Sequence, residues 1–190
     1  MARTIRFAAE TDAAQILDIY APIVEDSAIS FEEVAPSRPE MAGRIRSTLE
    51  RYPWLACEEA GRVLGYAYAG EFRPRGAYRW AVEVTVYVRP DAQRIGIAGG
   101  LYTPLLDILR LQGFSKALAG ITLPNDASVA LHQRFGFAPV GVLQDVRFKL
   151  DGWHDVELWA LLLQEPQDPP EVPKSLPDLR VECAALLGGP

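Results

Sequence analysis

Residues 82–106 read VEVTVYVRPDAQRIGIAGGLYTPLL, and the rest of the chain is arranged around them. Valine occupies every second position from 82 to 88, and this alternation predicts a strand with one buried face. A short loop then leads through glycines at 96, 99 and 100 into a segment whose leucines recur at helical spacing. A strand, a glycine-rich loop and a helix in this order direct free main-chain N–H groups at an anion.

The spacing of the glycines limits which kinds of phosphate-binding loop this segment can be. Glycine suits the site because main chain without a Cβ lets phosphate oxygens approach closely. Leucine rather than lysine follows Gly100, which excludes a Walker loop, and Ala98 breaks the dinucleotide-binding fingerprint. We interpret residues 94–99 as a diphosphate-binding loop, to which Arg94 adds a positive charge. An ordinary strand-to-helix turn would give the same pattern.

The composition is typical of one globular domain. The chain has 190 residues, of which 49% are apolar and 23% are charged. Its net charge of -6 argues against nucleic acid as a partner, and no long apolar run is present to cross a membrane. Two cysteines, Cys57 and Cys183, and two histidines make a disulfide framework or a structural zinc site improbable. These counts favour a reducing, cytoplasmic setting without a bound metal.

Local patterns predict alternating strands and helices along residues 1–165. Thr11 and Asp12 are typical helix-capping residues, and Ser37 with Glu40 forms a capping box. The expected strands are 4–8, 54–58, 63–72, 82–88, 116–121, 137–142, 146–149 and 153–163. The predicted fold class is α/β, with one sheet covered by helices on both sides.

From residue 166 onward the composition changes. Six of the last 25 residues are proline, which interrupts helices and central strands. We expect residues 166–190 to form a tail outside the core, extended or disordered, while residues 1–165 form the domain. Apolar side chains such as Leu176 and Leu179 could instead dock on the domain or on a partner.

Several segments, in the order in which they occur, resemble the phosphinothricin acetyltransferase-like branch of the GNAT superfamily. This branch includes methionine sulfoximine and methionine sulfone acetyltransferases, and the resemblance covers residues 3–163. The matching segments are VEVTVYV at 82–88, QRIG at 93–96, LPND at 123–126, FGF at 135–137 and GWHDV at 152–156. The resemblance implies an acetyl-CoA-dependent N-acetyltransferase with a mixed, mostly antiparallel central sheet flanked by helices on both faces.

The resemblance also implies where acetyl-CoA binds. The main chain of residues 86–88 would pair with the pantetheine arm as an added strand would. The glycine loop would hold the diphosphate, and the start of the following helix would hold the pantetheine arm. The implied coenzyme contacts are Val86, Tyr87, Val88, Arg94, Ile95, Gly96, Ile97, Ala98, Gly99, Asn125 and Ser128.

Acetylation of an amine requires a base, because an ammonium group has no lone pair. Glu83, a carboxylate among strand valines, is the candidate base, since burial would raise its pKa. An ion pair with Arg75 or Arg79 is the alternative explanation. His132 stands where many GNAT enzymes have a tyrosine, and the resemblance implies that it assists the departing thiolate; simple packing explains it equally well. Tyr102 is expected to belong to the core.

The resemblance places four residues at the acceptor site. Arg73 and Arg75 match the basic pair of this branch that meets the substrate carboxylate, an anion that a guanidinium fits well. A solvated basic loop is the alternative. Phe31 and Tyr78 would line the pocket. Gly76 stands where the branch usually has asparagine, and Arg73 where lysine is common.

Together these residues predict direct transfer of an acetyl group from acetyl-CoA to the α-amine of a small amino-acid-like acid. Phosphinothricin, methionine sulfoximine and methionine sulfone represent this class. Two alternatives stay open: a GNAT acetyltransferase for another amine, such as a peptide N-terminus or a polyamine, and a non-catalytic acyl-CoA-binding module. The resemblance further implies a homodimer, and no metal, nucleic acid or membrane partner is expected.

Overall fold

A computed structural model describes residues 3–187. Residues 1–2 of the predicted domain and residues 188–190 of the predicted tail lie outside the described residues. The strands are β1 (Thr4–Phe7), β2 (Trp54–Glu59), β3 (Arg62–Glu71), β4 (Ala81–Val88), β5 (Lys116–Thr122), β6 (Ala138–Lys149) and β7 (Gly152–Leu162). The helices are α1 (Ala13–Asp26), α2 (Arg38–Leu49), α3 (Ile97–Gln112), α4 (Asp126–Arg134) and α5 (Arg180–Ala185).

The strands form one sheet with helices on both faces. Their order is β1-β2-β3-β4-β5-β7-β6, and only the β4–β5 pair is parallel. Helices α1 and α2 pack on one face around Trp54 and Tyr66. Helix α3 packs on the other face, where Leu101, Leu105 and Leu109 are fully buried. This is the mixed, mostly antiparallel sheet that the resemblance implies.

The capping box predicted at Ser37 fixes the start of α2. The Ser37 hydroxyl accepts the N–H of Glu40 at 3.4 Å, and the Glu40 carboxylate accepts the N–H of Ser37 at 2.7 Å. Asp12, at the start of α1, accepts the N–H of Ala9 and forms a 2.7 Å ion pair with Arg6 of β1. Both helices are therefore held in place over the same face of the sheet.

Strand β6 differs from the sequence prediction. Residues 137–142 and 146–149 were expected to form two strands, but residues 138–149 form one long strand. Its register against β7 shifts after Pro139 and again after Leu143, and Asp145 has a φ of 45°. An edge strand tolerates a proline and extra residues because one side of it has no ladder to maintain.

The expectation of a tail outside the core is wrong for the residues that the structure describes. Leu176, Leu179 and Cys183 are buried in the same cluster as α3. The side chain of Gln112 donates to the main-chain oxygens of Arg51 and Lys174, at 2.8 and 2.9 Å. The prolines interrupt regular structure, but the apolar residues between them still gain free energy by burial against α3.

Candidate active site

Strands β4 and β5 separate in the middle of the sheet. Their parallel pairing ends at Glu83 and Leu118, although β4 continues to Val88 and β5 to Thr122. The edge of β4 that faces β5 beyond Glu83 is therefore unpaired within the described sheet. Its N–H and C=O groups are available to an extended ligand, as an added strand would use them.

A cavity of about 240 Å³ opens at this separation. Seven residues that were predicted from the sequence as site residues form part of its wall, so the fold brings these seven side chains to one place. They are Phe31, Glu83, Val86, Tyr87, Asn125, Ser128 and His132. The cavity thus combines a carboxylate, a histidine and a free strand edge.

The glycine loop ends next to this strand edge, at the start of α3. Arg94 and Gly96 have φ values of 62° and 88°, a left-handed conformation that glycine adopts without steric cost. No side chain caps α3, and the N–H of Gly100 makes the first bond to Gly96. The N–H groups of Ile97, Ala98 and Gly99 thus have no intrahelical acceptor, as at the start of any helix. This is an anion-binding arrangement.

Glu83 carries the one carboxylate on the β4 floor of the cavity. Its side chain is accessible through the cavity mouth, yet many protein atoms surround it, and this partial desolvation raises its pKa. Neither Arg75 nor Arg79 pairs with it: Arg79 Nε donates instead to the main-chain oxygen of Gly76. Across the gap between β4 and β5, a Cβ on Gly120 would lie 3.7 Å from Glu83 Oε1, so the glycine leaves room beside the carboxylate.

His132 is buried with both ring nitrogens hydrogen-bonded. Nδ1 lies 2.7 Å from the main-chain oxygen of Ser128, and Nε2 lies 3.0 Å from the Tyr102 hydroxyl. Because a carbonyl only accepts, the proton belongs on Nδ1, and Nε2 accepts the tyrosine hydrogen. Desolvation lowers the pKa of His132, opposed by its bond to Ser128, so the neutral form is favoured. In this arrangement no N–H of the ring is free to donate to a thiolate.

Several predicted residues lie away from the cavity wall. The Arg73 guanidinium lies against the rings of Phe72 and Tyr78, at 5.1 and 5.7 Å from their centroids. Arg75 is exposed at the start of the same turn. Neither arginine, nor Tyr78, is among the residues that line the cavity, and the same holds for Val88 and residues 94–99. The acceptor roles of Arg73, Arg75 and Tyr78 therefore stay predictions.

Some residues that line the cavity were not predicted from the sequence. Tyr68 of β3 faces Thr85 across the β3–β4 ladder, and Thr122 lies at the end of β5. Tyr20 of α1 reaches the cavity and donates a hydrogen bond to Glu32 at 2.8 Å. Alternation along β4 places Thr85 on the face of Glu83, but the other three depend on strand register and helix placement, which no local pattern reveals.

Comparison with known proteins identifies the family to which this chain belongs. The family model described as an acetyltransferase (GNAT) domain matches residues 5–159. A phosphinothricin N-acetyltransferase of Streptomyces viridochromogenes is 41% identical over 165 residues, which cover 87% of this chain and 90% of that one. This chain belongs to the GNAT acetyltransferase family. The family, the enzyme class and the fold class expected from the sequence are thereby confirmed.

Further relatives of this GNAT acetyltransferase resemble it over most of their length. An L-methionine sulfoximine/L-methionine sulfone acetyltransferase of Salmonella typhimurium is 35% identical, with 85% of this chain and 95% of that one covered. The crystal structure of a GNAT superfamily phosphinothricin acetyltransferase from Sinorhizobium meliloti, in complex with AcCoA, superposes with a TM-score of 0.83. It is 33% identical and covers 90% of this chain and 96% of that chain.

Two other features of this GNAT acetyltransferase concern metals and membranes. Within residues 3–187, no group of three or more His, Cys, Asp and Glu side chains is arranged to hold a metal ion. In the same part of the chain, every helix is too short or too polar to pass through a lipid bilayer.

Proposed function

We propose that this GNAT acetyltransferase transfers the acetyl group of acetyl-CoA directly to the α-amine of a small amino-acid-like acid. The observation that carries the proposal is the unpaired carboxylate of Glu83 at the point where β4 and β5 separate. Relatives named for phosphinothricin, methionine sulfoximine and methionine sulfone support the acceptor class. The AcCoA complex of the Sinorhizobium meliloti structure supports the donor.

In this proposal acetyl-CoA lies along the gap between β4 and β5. The free edge of β4 at residues 86–88 pairs with the pantetheine arm, and Asn125 and Ser128 at the start of α4 contact it from the other side. The main-chain N–H groups at residues 94–99 hold the diphosphate. The fit is supported by the left-handed Gly96 and by the uncapped first turn of α3.

The chemistry needs two protons removed from the acceptor ammonium and one developing charge stabilised. Glu83 takes a proton from the acceptor ammonium, directly or through a water, and the neutral amine attacks the thioester carbon. The carbonyl oxygen gains negative charge, which the N–H of Val86 or its neighbour stabilises. The tetrahedral intermediate loses the second amine proton to solvent and collapses with cleavage of the C–S bond, which releases CoA as its thiolate and the N-acetyl product.

We assign His132 a positioning role rather than proton donation. Its two hydrogen bonds connect Tyr102 of α3 to Ser128 of α4, the two helices that contact opposite ends of the coenzyme in this proposal. A neutral ring whose single N–H is already donated has no hydrogen for the departing sulfur. The thiolate therefore leaves without help from His132 and takes its proton from solvent.

The test is release of free thiol from acetyl-CoA in the presence of single acceptors. The acids named for the relatives should support turnover, whereas a polyamine and a peptide N-terminus should not. Replacement of Glu83 by Gln should lower the rate by about 10²–10⁴-fold while CoA affinity stays unchanged. CoA binding without turnover on any acceptor would instead favour a non-catalytic acyl-CoA-binding module.

A homodimer in the cytoplasm completes the proposal. Cys57 and Cys183 are both free thiols, which suits a reducing compartment. The outer edge strand β6, the turn after it and the start of β7 carry exposed apolar side chains, which we together call the β6 face. It consists of Val140, Val142, Leu143, Val146, Phe148, Leu150 and Trp153. An exposed apolar surface of this kind on a long edge strand is typical of an interface, and we propose a second copy of this chain as its partner.

A further inference from the structure

Two cationic side chains of β6 meet at a single carbonyl next to the reaction cavity. Arg147 Nη2 donates to the main-chain oxygen of Ser30 at 2.6 Å, and Lys149 Nζ donates to the same oxygen at 3.2 Å. Arg147 Nη1 also donates to Thr122 Oγ1 at 2.8 Å and to the main-chain oxygen of Ala28 at 3.3 Å. The two side chains thereby connect the edge of the sheet to the loop at residues 27–32.

Neither cation has a carboxylate partner. Among the ion pairs within residues 3–187, none includes Arg147 or Lys149. Glu32 belongs to the same loop, but it forms a two-pronged ion pair with Arg44, at 2.6 and 3.0 Å. One neutral carbonyl is therefore the acceptor shared by two positive charges, which repel each other.

Burial makes this arrangement costly. Lys149 is only 8% exposed, and lysine is almost never buried to this degree without a partner. Desolvation, reinforced by the charge of Arg147 and opposed by the carboxylates of Glu33 and Glu32, lowers the pKa of Lys149. Desolvation also lowers the pKa of Arg147, yet a guanidinium stays charged in proteins. An anion between the two side chains would offset both the repulsion and the lost hydration.

The pair adjoins the cavity that contains Glu83. Thr122 and Ser30, which accept hydrogen bonds from Arg147, both line that cavity. The Arg147 guanidinium lies 3.6 Å from the centroid of the Phe31 ring, and Phe31 lines the cavity as well. A Cβ on Gly120 would lie 3.5 Å from Phe31 and 3.7 Å from the Glu83 carboxylate. The Phe31 ring thus lies against the Arg147 guanidinium and near the proposed base.

We propose that Arg147 and Lys149 bind an oxyanion of the acceptor, with Phe31 yielding its place against the guanidinium. This inference rests on the proposed function and adds a specificity-determining site to it. The oxyanion is a carboxylate or a phosphinate, groups that a guanidinium recognises through paired N–H donors. None of the four cations lines the cavity itself, but Arg147 donates to Thr122 and Ser30, which do line it. The guanidinium of Arg73, from the pair that the resemblance implies for this role, lies instead against Phe72 and Tyr78, which do not.

The experiment measures acceptor binding without turnover. Isothermal titration calorimetry of the full chain saturated with CoA, which carries no acetyl group, is performed with three ligands. Phosphinothricin has a carboxylate and a phosphinate, L-methionine sulfone has a carboxylate alone, and the carboxamide of L-methionine sulfone has neither. Arg147→Gln should weaken binding at least about tenfold, because it removes a hydrogen bond between two charged groups. Arg147→Lys should retain part of the affinity.

The pattern of loss identifies the anion. Weakened binding of both acids, with the carboxamide unaffected, indicates the α-carboxylate. Weakened binding of phosphinothricin alone indicates the phosphinate. An equal loss for all three ligands would mean that Arg147 merely fixes the loop, and no loss for any ligand would mean that it takes no part; either result overturns the inference. Lys149→Met should reproduce the pattern of Arg147→Gln.

Two controls separate this inference from its premises. Arg46→Gln removes an exposed arginine of α2 that pairs with Glu10, and it should leave all three affinities unchanged. Thermal unfolding of each variant shows whether it is folded. If the wild-type protein releases thiol with both acids and Arg147→Gln binds them as tightly as wild type, the inference is overturned while the proposed function stands. Wild-type protein that bound and acetylated neither acid would remove the proposed acceptor class as well.

Discussion

If Glu83 is the base, as proposed, this one residue serves catalysis at the expense of stability. Partial desolvation by the surrounding protein atoms opposes only the ionised form, and this raises the pKa of Glu83 in the folded protein above its ordinary value. The base must be ionised to work, so kcat/KM should fall as the pH is lowered through this raised pKa. Glu83→Gln should lose that limb of the pH profile, whereas Glu71→Gln at the exposed end of β3 should keep it. A wild-type profile that stayed flat across this range would contradict the assignment.

The same raised pKa makes a second, thermodynamic prediction. Ionised Glu83 is penalised in the folded state, so its contribution to stability is lost as the pH rises through the folded pKa. Glu83→Gln should therefore unfold at a higher temperature than wild type near neutral pH. At low pH, where the carboxyl is protonated in both states, the two melting temperatures should converge. Calorimetric scans at both pH values test this independently of activity.

His132 is a residue whose proton can be located by experiment. The chain has only two histidines, so His154→Gln assigns the imidazole ¹⁵N signals directly. We expect His132 to carry its proton on Nδ1 and to stay neutral below the ordinary histidine pKa. Tyr102→Phe should leave Nε2 buried without its donor and lower the free energy of unfolding by about 1–3 kcal/mol. An Nε2–H tautomer in the wild type would restore proton donation to the sulfur as an explanation.

At the scale of an element, the start of α3 depends on one glycine. Gly96 has a φ of 88° with no protein atom near the position of a Cβ, so Gly96→Ala costs about 1–2 kcal/mol of backbone strain and causes no clash. The added methyl group would project where phosphate oxygens are proposed to lie, so CoA affinity should fall as well. Gly61→Ala is the matched control: its φ is 77°, its surroundings are equally open, and it lies in the β2–β3 turn. Equal CoA affinities for the two variants would contradict a diphosphate site at this loop.

Elements with a strong local pattern were predictable, and those decided by contacts across the sheet were not. The alternation at residues 82–88, the capping box at Ser37 and the glycine loop all have local causes, and the structure contains each of them. The joining of two predicted strands into β6 depends on its edge position. The separation of β4 from β5 depends on which strands are neighbours in the sheet. No local pattern in the sequence predicts that order, and only the resemblance to a family implies it.

At the scale of the whole molecule, the tail is the part for which the prediction from the sequence differs most from the structure. Its proline content suggested an extension outside the core, because composition records what interrupts helices and not what can be buried. Leu176 is fully buried, so Leu176→Ala should lower the free energy of unfolding by about 2–5 kcal/mol. Val181 in the same segment is 81% exposed, and Val181→Ala should change it by less than about 0.5 kcal/mol. Equal effects in chemical denaturation would show that the tail does not pack in solution.

Assembly is the other property of the whole molecule, and the β6 face makes it testable. Phe148 and Trp153 are 55% and 62% exposed and contact each other edge to face, a large apolar surface for a monomer to leave in water. Sedimentation should therefore give twice the chain mass of 21.0 kDa. Phe148→Glu would bury an unpaired charge in a two-fold interface and should yield monomers. Val181→Glu, an equal change on the exposed side of α5, should remain dimeric. A wild-type chain that sedimented as a monomer at every concentration would leave the β6 face without its proposed partner, because no other apolar surface of the described residues is concentrated along one edge strand.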